Sequence, residues 1–207
     1  MLPTKQALPP AEPGRLRLRK KQHTRRAIED AALDLFVEQG YEDTTVDQIA
    51  ARAEVSKATF FRYYATKGEV IFGGDQDRHH DLHEAIVARP ASESALTAIR
   101  SAMQQQWVPS LDPERTVRQT RAARTSPVLR GLSHDLSMRW QADVSAAVAQ
   151  RRGLDAPDRS CRLVASLAFA VLSNAVNLWM DDGGRGDLGT TIDEGFELLS
   201  ELSKECP

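Results

Sequence analysis

The chain has 207 residues, room for one large domain or two small ones, and its 41% hydrophobic and 27% charged residues are ordinary for a globular protein. Two cysteines, Cys161 and Cys206, with no CxxC spacing exclude a disulfide framework and fit a reducing, cytoplasmic setting. The net charge of −2 hides an asymmetry: residues 1–26 carry eight Lys/Arg against one acid, Glu12, while the remainder is acidic. A basic arm on an acidic body points to a polyanionic partner.

In chain order, residues 1–14 (MLPTKQALPPAEPG) are Pro-rich, poor in large apolar groups and without the apolar stretch of a signal peptide, and read as a disordered tail. Arg15 to Arg26 is a basic run whose Lys20, Lys21 and Arg25 are suited to phosphates or the minor groove. From Thr24 to Gln39, Ile28, Ala31, Ala32, Leu35 and Phe36 form an amphipathic stripe, closed by Gly40 as a C-cap. Thr45 to Lys67 then reads as two short helices joined by a tight turn. Val46, Ile49, Ala50 and Ala53 give the first an apolar face behind the N-cap Thr45, and Ser56 caps the second. Such a hairpin is the helix-turn-helix that places a helix in the DNA major groove. Within it, Lys57 and Arg62 are suited to guanine O6/N7, Thr45, Thr59 and Lys67 to phosphate, while Phe60 and Tyr64 point inward.

A fourth helix is expected to run unbroken from Thr66-Lys67 to Ala88, ahead of Pro90. Further helices are expected over Ser92–Val108, Pro113–Arg124, Pro127–Arg151, Asp158–Met180 and Leu188–Leu202; no segment alternates like a strand. The expected fold is all-α, with a tail (1–14), a helix-turn-helix domain with its basic arm (15–66) and an effector-binding and dimerisation domain (67–207). The apolar stretch in Asp158–Met180 is interrupted by Ser166, Ser173, Asn174 and Asn177, so it reads as a buried helix, not a membrane span. Leu163, Leu167, Ala170 and Asn174 share one face, and Val164, Ala168, Val171, Ala175 and Leu178 a neighbouring one. The second set, with Phe196 and Leu199, is assigned to a homodimer interface, as a palindromic operator requires two reading helices.

Ala27-Ile28…Leu35-Phe36…Gly40-Tyr41, Thr44-Thr45-Val46…Ile49-Ala50…Ala53…Val55-Ser56 and Thr59-Phe60-Phe61…Tyr63-Tyr64…Lys67 together resemble the TetR family of transcriptional regulators. The resemblance implies that Ser56 opens the recognition helix, that Lys57, Ala58, Thr59, Phe61, Arg62 and Tyr63 face DNA, and that Thr45 and Lys67 meet phosphates. Glu54 and Ala58 stand where the family often has glycine, which points to a differently shaped turn, and Phe61 stands where tyrosine is common. More loosely, Arg118…Arg121…Thr125-Ser126-Pro127…Leu129-Arg130 and Arg151-Arg152-Gly153-Leu154-Asp155 resemble the family's acyl-CoA-like ligand-binding branch. This implies a small lipophilic effector, an acyl-CoA or fatty acid. Met103, Trp107, Trp140 and Phe169 are candidates to line its pocket, and Arg121 or Arg124 to meet its acidic head.

His79 and His83, at i and i+4, have the spacing of a two-His metal pair, but the sequence supplies no third ligand and no metal or cofactor is assigned. No catalytic constellation is present. The sequence therefore describes a dimeric repressor released from a double-stranded DNA operator by its effector. The alternative reading is an all-α acyl-binding or catalytic module with a vestigial helix-turn-helix.

Overall fold

The computed structural model describes residues 13–73 and 75–205; most of the expected tail (1–12) and Cys206 lie outside the described residues. Buried Ile28, Ala32, Leu35 and Phe36 line one side of α1 (Pro13–Gln39), against which α2 (Val46–Arg52) and α3 (Lys57–Tyr63) pack. Ile49, Phe60, Val70 and Ile71, each fully buried, complete this first core. α1 begins at Pro13, so the basic run is a continuation of the helix, not a separate arm. Its alternating Arg, Leu and Lys residues have good helix propensity, and proline is favoured at a first helical position.

The expected unbroken fourth helix is interrupted. Glu69–Phe72 forms a 3₁₀ turn, and α4 spans Asp75–Val87. Gly73 stands at the break because the chain there is crowded: a Cβ would lie 2.5 Å from the Tyr64 ring and 2.9 Å from Glu29 Oε1. α5 (Ala95–Ala102) widens into a π turn (Met103–Trp107) and ends as a 3₁₀ turn at Val108–Ser110, where a single helix was expected. α6 (Pro113–Thr125), α7 (Pro127–Arg151), α8 (Arg159–Asp181) and α9 (Leu188–Glu205) follow within a few residues of their expected bounds. Asp112, Ser126 and Asp158 each accept a first-turn backbone N–H as N-caps. All regular structure among the described residues is helical.

The second core joins α4, α5 and the π turn to α7, α8 and α9, around Ile86, Ile99, Met103, Trp140 and Ile192. α8 is long and apolar enough to cross a membrane, with a mean hydropathy of 1.7, yet it packs here against α5, α7 and α9. This packing reverses the expected roles of its two faces. Ala168, Val171 and Ala175 are buried within the chain, with Phe196 of α9, and Val164 and Leu199 are partly buried against the same core. Of the residues assigned to the dimer interface only Leu178 is exposed. The outward stripe is Leu163, Leu167, Ala170, Asn174 and Leu178, continued by Leu198 and Leu202. Ala165, Ala168 and Ala175 on the buried face let neighbouring helices approach closely, with Leu172 and Trp179 filling the space beside them.

The two cores are tied along α1 and α6. Arg115 donates from Nη2 to Glu29 Oε2 (2.7 Å) and from Nη1 to Asp30 (2.9 Å), while Arg118 reaches Asp34 (2.7 Å). Glu29 is 4% exposed and also accepts from the Tyr64 hydroxyl (2.5 Å) and Arg25 Nε (3.2 Å). Burial, and then the bond to Glu29, push the Tyr64 hydroxyl above its ordinary range, so it remains a protonated donor. The Ser126 hydroxyl donates to Glu42 (2.7 Å), and Gln119 donates to the Ile71 carbonyl (2.6 Å). Removing one partner of a buried charge is expensive, so Arg115→Ala is expected to destabilise the chain by about 3 kcal/mol. Arg118→Ala, at a half-exposed pair, should cost less than about 1 kcal/mol; urea titration followed by circular dichroism measures both.

Candidate nucleic-acid interface

The helix-turn-helix is held from its caps inward. At α2 the Thr45 hydroxyl accepts from Gln48 N (3.2 Å) and Gln48 Oε1 accepts from Thr45 N (2.8 Å), a complete capping box. At α3 the Ser56 hydroxyl accepts from Thr59 N (3.0 Å) and donates to Thr59 Oγ1 (3.0 Å). Phe60 is fully buried and Tyr64 5% exposed, so both anchor α3 inward as the sequence predicts, whereas Phe61 is half exposed. Between the helices Glu54 has φ +53°, the one non-glycine residue in the left-handed region among the described residues. The turn therefore adopts a conformation that glycine takes without strain, and carries a Cβ there at a cost.

The expected contact residues fall into three groups. Lys57, Ala58, Phe61 and Arg62 are exposed on α3, with Ser56 and Thr59 at its start and Tyr63, half-buried, at its end. Lys57 Nζ lies 2.9 Å from Asp47 Oδ2, and the Arg62 guanidinium lies over the Tyr63 ring at 5.5 Å. Lys20 and Lys21 are exposed on the first turns of α1, where with Arg17, Thr24, Arg62 and Tyr63 they line a cleft of about 590 Å³. This brings the basic run beside the end of the recognition helix, four cations around one cleft.

Three residues are engaged differently from expectation. Arg25 turns toward Glu29 and the Tyr64 hydroxyl. The Thr45 hydroxyl is occupied at both its acceptor and donor positions by Gln48. Lys67 Nζ donates to the carbonyls of Tyr41 (2.6 Å), Thr44 (2.6 Å) and Glu42 (3.2 Å), and lies 4.3 Å from the Tyr41 ring centroid. Its donors hold the loop before α2, so a phosphate would have to compete with three carbonyls. Sequence reasoning missed this role because the accepting carbonyls belong to the backbone and leave no mark in residue type.

The expected effector residues are only partly assembled. Met103 and Trp140 lie in the second core with Trp107 and Phe169 packed against it, and the Trp140 and Phe169 rings stack at 5.7 Å. No cavity described for the chain is lined by them. Instead the buried Trp140 Nε1 has no hydrogen-bond partner among the described residues, nor has the Ser145 hydroxyl. Arg121 is exposed, and Arg124 is committed to Asn177 (2.9 Å) and Asp181 (3.5 Å) of α8. His79 and His83 instead line a cavity of about 460 Å³ with His80, Glu84, Arg139 and Asp143. His79 Nδ1 is 3.8 Å from Asp143, and His83 Nε2 is 3.1 Å from Gln150 Oε1. Among the described residues no group of three or more His, Cys, Asp or Glu could hold a metal ion.

This arrangement of a capped helix-turn-helix on a helical bundle defines a class, the bacterial regulators that read DNA through a short recognition helix. The model of the bacterial regulatory proteins of the tetR family matches residues 28–72, and that of the MftR C-terminal domain matches residues 93–203, more than half of the chain. The chain belongs to the TetR family and is a transcriptional regulator with a TetR-type DNA-binding domain. Among relatives, TcmR of Streptomyces glaucescens, an HTH-type transcriptional regulator, is 44% identical over 93 residues, 45% of this chain and 41% of its own. MftR of Mycobacterium tuberculosis H37Rv, a candidate mycofactocin biosynthesis regulator, is 28% identical over 79% of this chain and 83% of its own. Thus the chain spans less than half of TcmR's length. Solved structures with the same fold include a SmeT–triclosan complex (TM-score 0.59, 19% identity, covering 84% of this chain and 90% of that one). FadR from Bacillus halodurans, a fatty acid degradation regulator, has a TM-score of 0.57 at 19% identity, over 85% of this chain and 94% of that one. Family and relatives are transcriptional regulators and not enzymes, which removes the catalytic alternative.

Glu54→Gly is expected to relieve the strained turn by ~1–2 kcal/mol against roughly 0.4–1 kcal/mol of unfolded-state entropy. The net expectation is a melting temperature equal to or slightly above the parent's, and a clear fall in a thermal melt would show that the Glu54 side chain supplies something the backbone does not.

Proposed function

We propose that the chain is a repressor that binds a palindromic operator as a homodimer, from the cytoplasm, and releases it when a lipophilic acid such as a fatty acid or acyl-CoA enters the bundle. The observation that supports the DNA reading most is the basic cleft. Arg17, Lys20, Lys21 and Arg62 converge beside an exposed α3 although the body of the chain is acidic. Lys57 and Arg62 present to the bases, Thr59 has its hydroxyl proton to donate to phosphate, and the first turns of α1 track the backbone. Lys67 acts as a positioning residue for the loop before α2.

For the dimer, the support is the outward stripe from Leu163 through Leu178 with Leu198 and Leu202, an apolar face on two adjacent helices. For the effector, it is Trp140: a buried indole N–H without an acceptor costs ~1–3 kcal/mol, which an effector's carboxylate or carbonyl oxygen would recover. Since the surrounding side chains are packed, such a ligand would have to bind an opened bundle, and it releases DNA by favouring that state.

Fluorescence anisotropy with the chain's own upstream DNA tests this reading. Lys20→Ala/Lys21→Ala is expected to weaken binding on every sequence and to lower the salt slope by about 2, whereas Lys57→Ala should mainly relax selectivity. Adding a long-chain acyl-CoA should release the DNA; equal affinity with and without it, and with the free fatty acid, would remove the proposed effector class.

Leu163→Glu/Leu178→Glu is expected to give monomers in sedimentation velocity and to abolish operator binding without unfolding, while charges at the buried Ala168 and Ala175 should unfold the chain. A dimer that survives the leucine changes would place the interface elsewhere.

A further inference from the structure

A second cavity lies between the two halves of the chain. It encloses about 320 Å³, and its walls include Arg25 of α1, Tyr63 and Tyr64 at the end of α3, Phe72 of the 3₁₀ turn, and Leu136 and Arg139 of α7. That volume lies at the lower end of small-molecule sites, which run from ~300 to 1,000 Å³. Leu136 and Arg139 also wall the larger histidine-lined cavity, so Arg139 stands between the two. Each half supplies one guanidinium, and among the described residues no carboxylate lies within ion-pair distance of Arg139. Two acids border the site, and both are engaged: Glu69 accepts from Ala65 N (3.0 Å) as a cap within the linker, and Glu29 accepts from Arg25 (3.2 Å), Arg115 (2.7 Å) and the Tyr64 hydroxyl (2.5 Å). Three aromatic rings and two leucines, Leu132 and Leu136, make up the apolar part, and the backbone at Gly73 closes the floor against Tyr64.

We propose that this junction is a regulatory binding site for a small aromatic acid, a two- or three-ring body bearing a carboxylate or sulfonate, separate from the bundle core around Trp140. The flat body lies among Tyr63, Tyr64 and Phe72 with Leu136 at its edge, and the anionic group pairs with Arg139, since Arg25 is already engaged by Glu29. Both halves form the walls, so the ligand is bound only while the DNA-binding unit sits on α7 as it does here. Tyr63 also lines the basic cleft, and Arg25 borders it in sequence with Thr24. A ligand that fixes these two side chains and adds a negative charge beside the cleft opposes DNA phosphates, so the linkage between ligand and DNA is negative. The release of DNA rests on the regulator reading above, but occupancy of the cavity does not.

Anilinonaphthalene sulfonate, an aromatic anion that fluoresces when desolvated, is the probe. Titrated into the full chain, it should bind with an affinity that falls roughly tenfold in Arg139→Glu and in the cavity-filling Leu136→Trp. Arg139 is exposed, so its variant is expected to melt like the parent and keeps the test open if Leu136→Trp fails to fold. Arg159→Glu, an exposed arginine at the start of α8 and outside the cavity walls, is the control and should bind dye as the parent does. Dye binding unchanged in Arg139→Glu overturns the site, whatever the DNA result. Dye binding that depends on Arg139 but does not compete with DNA keeps the site and overturns its regulatory role. Loss of DNA binding in the parent chain itself would instead count against the regulator reading and leave the dye titration intact.

Discussion

One buried carboxylate sets the relation between the two halves of the chain. Glu29 is nearly inaccessible to water and is surrounded by donors from three places: Arg25 on its own helix, Tyr64 at the end of the recognition helix, and Arg115 on α6. A charge removed from water must be compensated where it sits. The position of α6 and the end of α3 are therefore specified together, by one group that neither can leave without a large cost. Asp30 and Asp34 extend the contact along α1 with Arg115 and Arg118, at more exposed and weaker pairs. The bundle meets the DNA-binding unit through this polar contact and through Ala122 and Leu129, which enter the first core. α6 and the recognition helix are thus joined through this polar contact and the apolar residues beside it, not through an unbroken helix from the linker.

Much of this architecture is legible in the sequence because helical periodicity and capping are local. The stripe from Ile28 to Phe36, the Thr45 and Ser56 caps, Phe60 and Tyr64 as anchors, and the starts of α6, α7 and α8 behind Asp112, Ser126 and Asp158 can all be read from spacing and residue type. What escapes is whatever depends on a partner distant in sequence. The break after Lys67 follows from the crowding of Gly73 by Tyr64 and Glu29, residues nine and forty-four positions away. The faces of α8 are inverted relative to expectation because apolar character alone does not rank them; the face of Ala165, Ala168, Leu172 and Ala175 goes inside and that of Leu163 and Leu178 outside. The aromatic and methionine residues expected around an effector gather in one core, but filled, and the unpartnered Trp140 N–H and Ser145 hydroxyl of α7 separate it from ordinary packing. The charged residues of the α1–α6 contact do recur at helical spacing, Asp30 with Asp34 and Arg115 with Arg118, but a charged stripe of that period equally describes a solvated face, so the pairing does not show in the sequence.

The distribution of charge gives the DNA-binding unit a particular economy. Several of its cations are already paired inside the unit, Lys57 with Asp47, Arg52 with Glu38 and Arg25 with Glu29, so they fix geometry before any nucleic acid arrives. The cations of the first turns of α1 lie on the exposed side of the helix, next to Arg62. In the proposed regulator, long-range attraction belongs to the helix extension and local reading to α3.

The loop ahead of α2 has a consequence of its own. Three backbone carbonyls, from Tyr41, Glu42 and Thr44, converge with an aromatic face on one ammonium group. Converging carbonyl oxygens of this kind are the donor set that proteins offer to an alkali or alkaline-earth ion. Here the ion is tethered to the chain as the Lys67 side chain, so its local concentration does not vary with the medium. The loop is thus a cation site permanently filled by its own protein, and its shape does not depend on the ions of the surrounding medium.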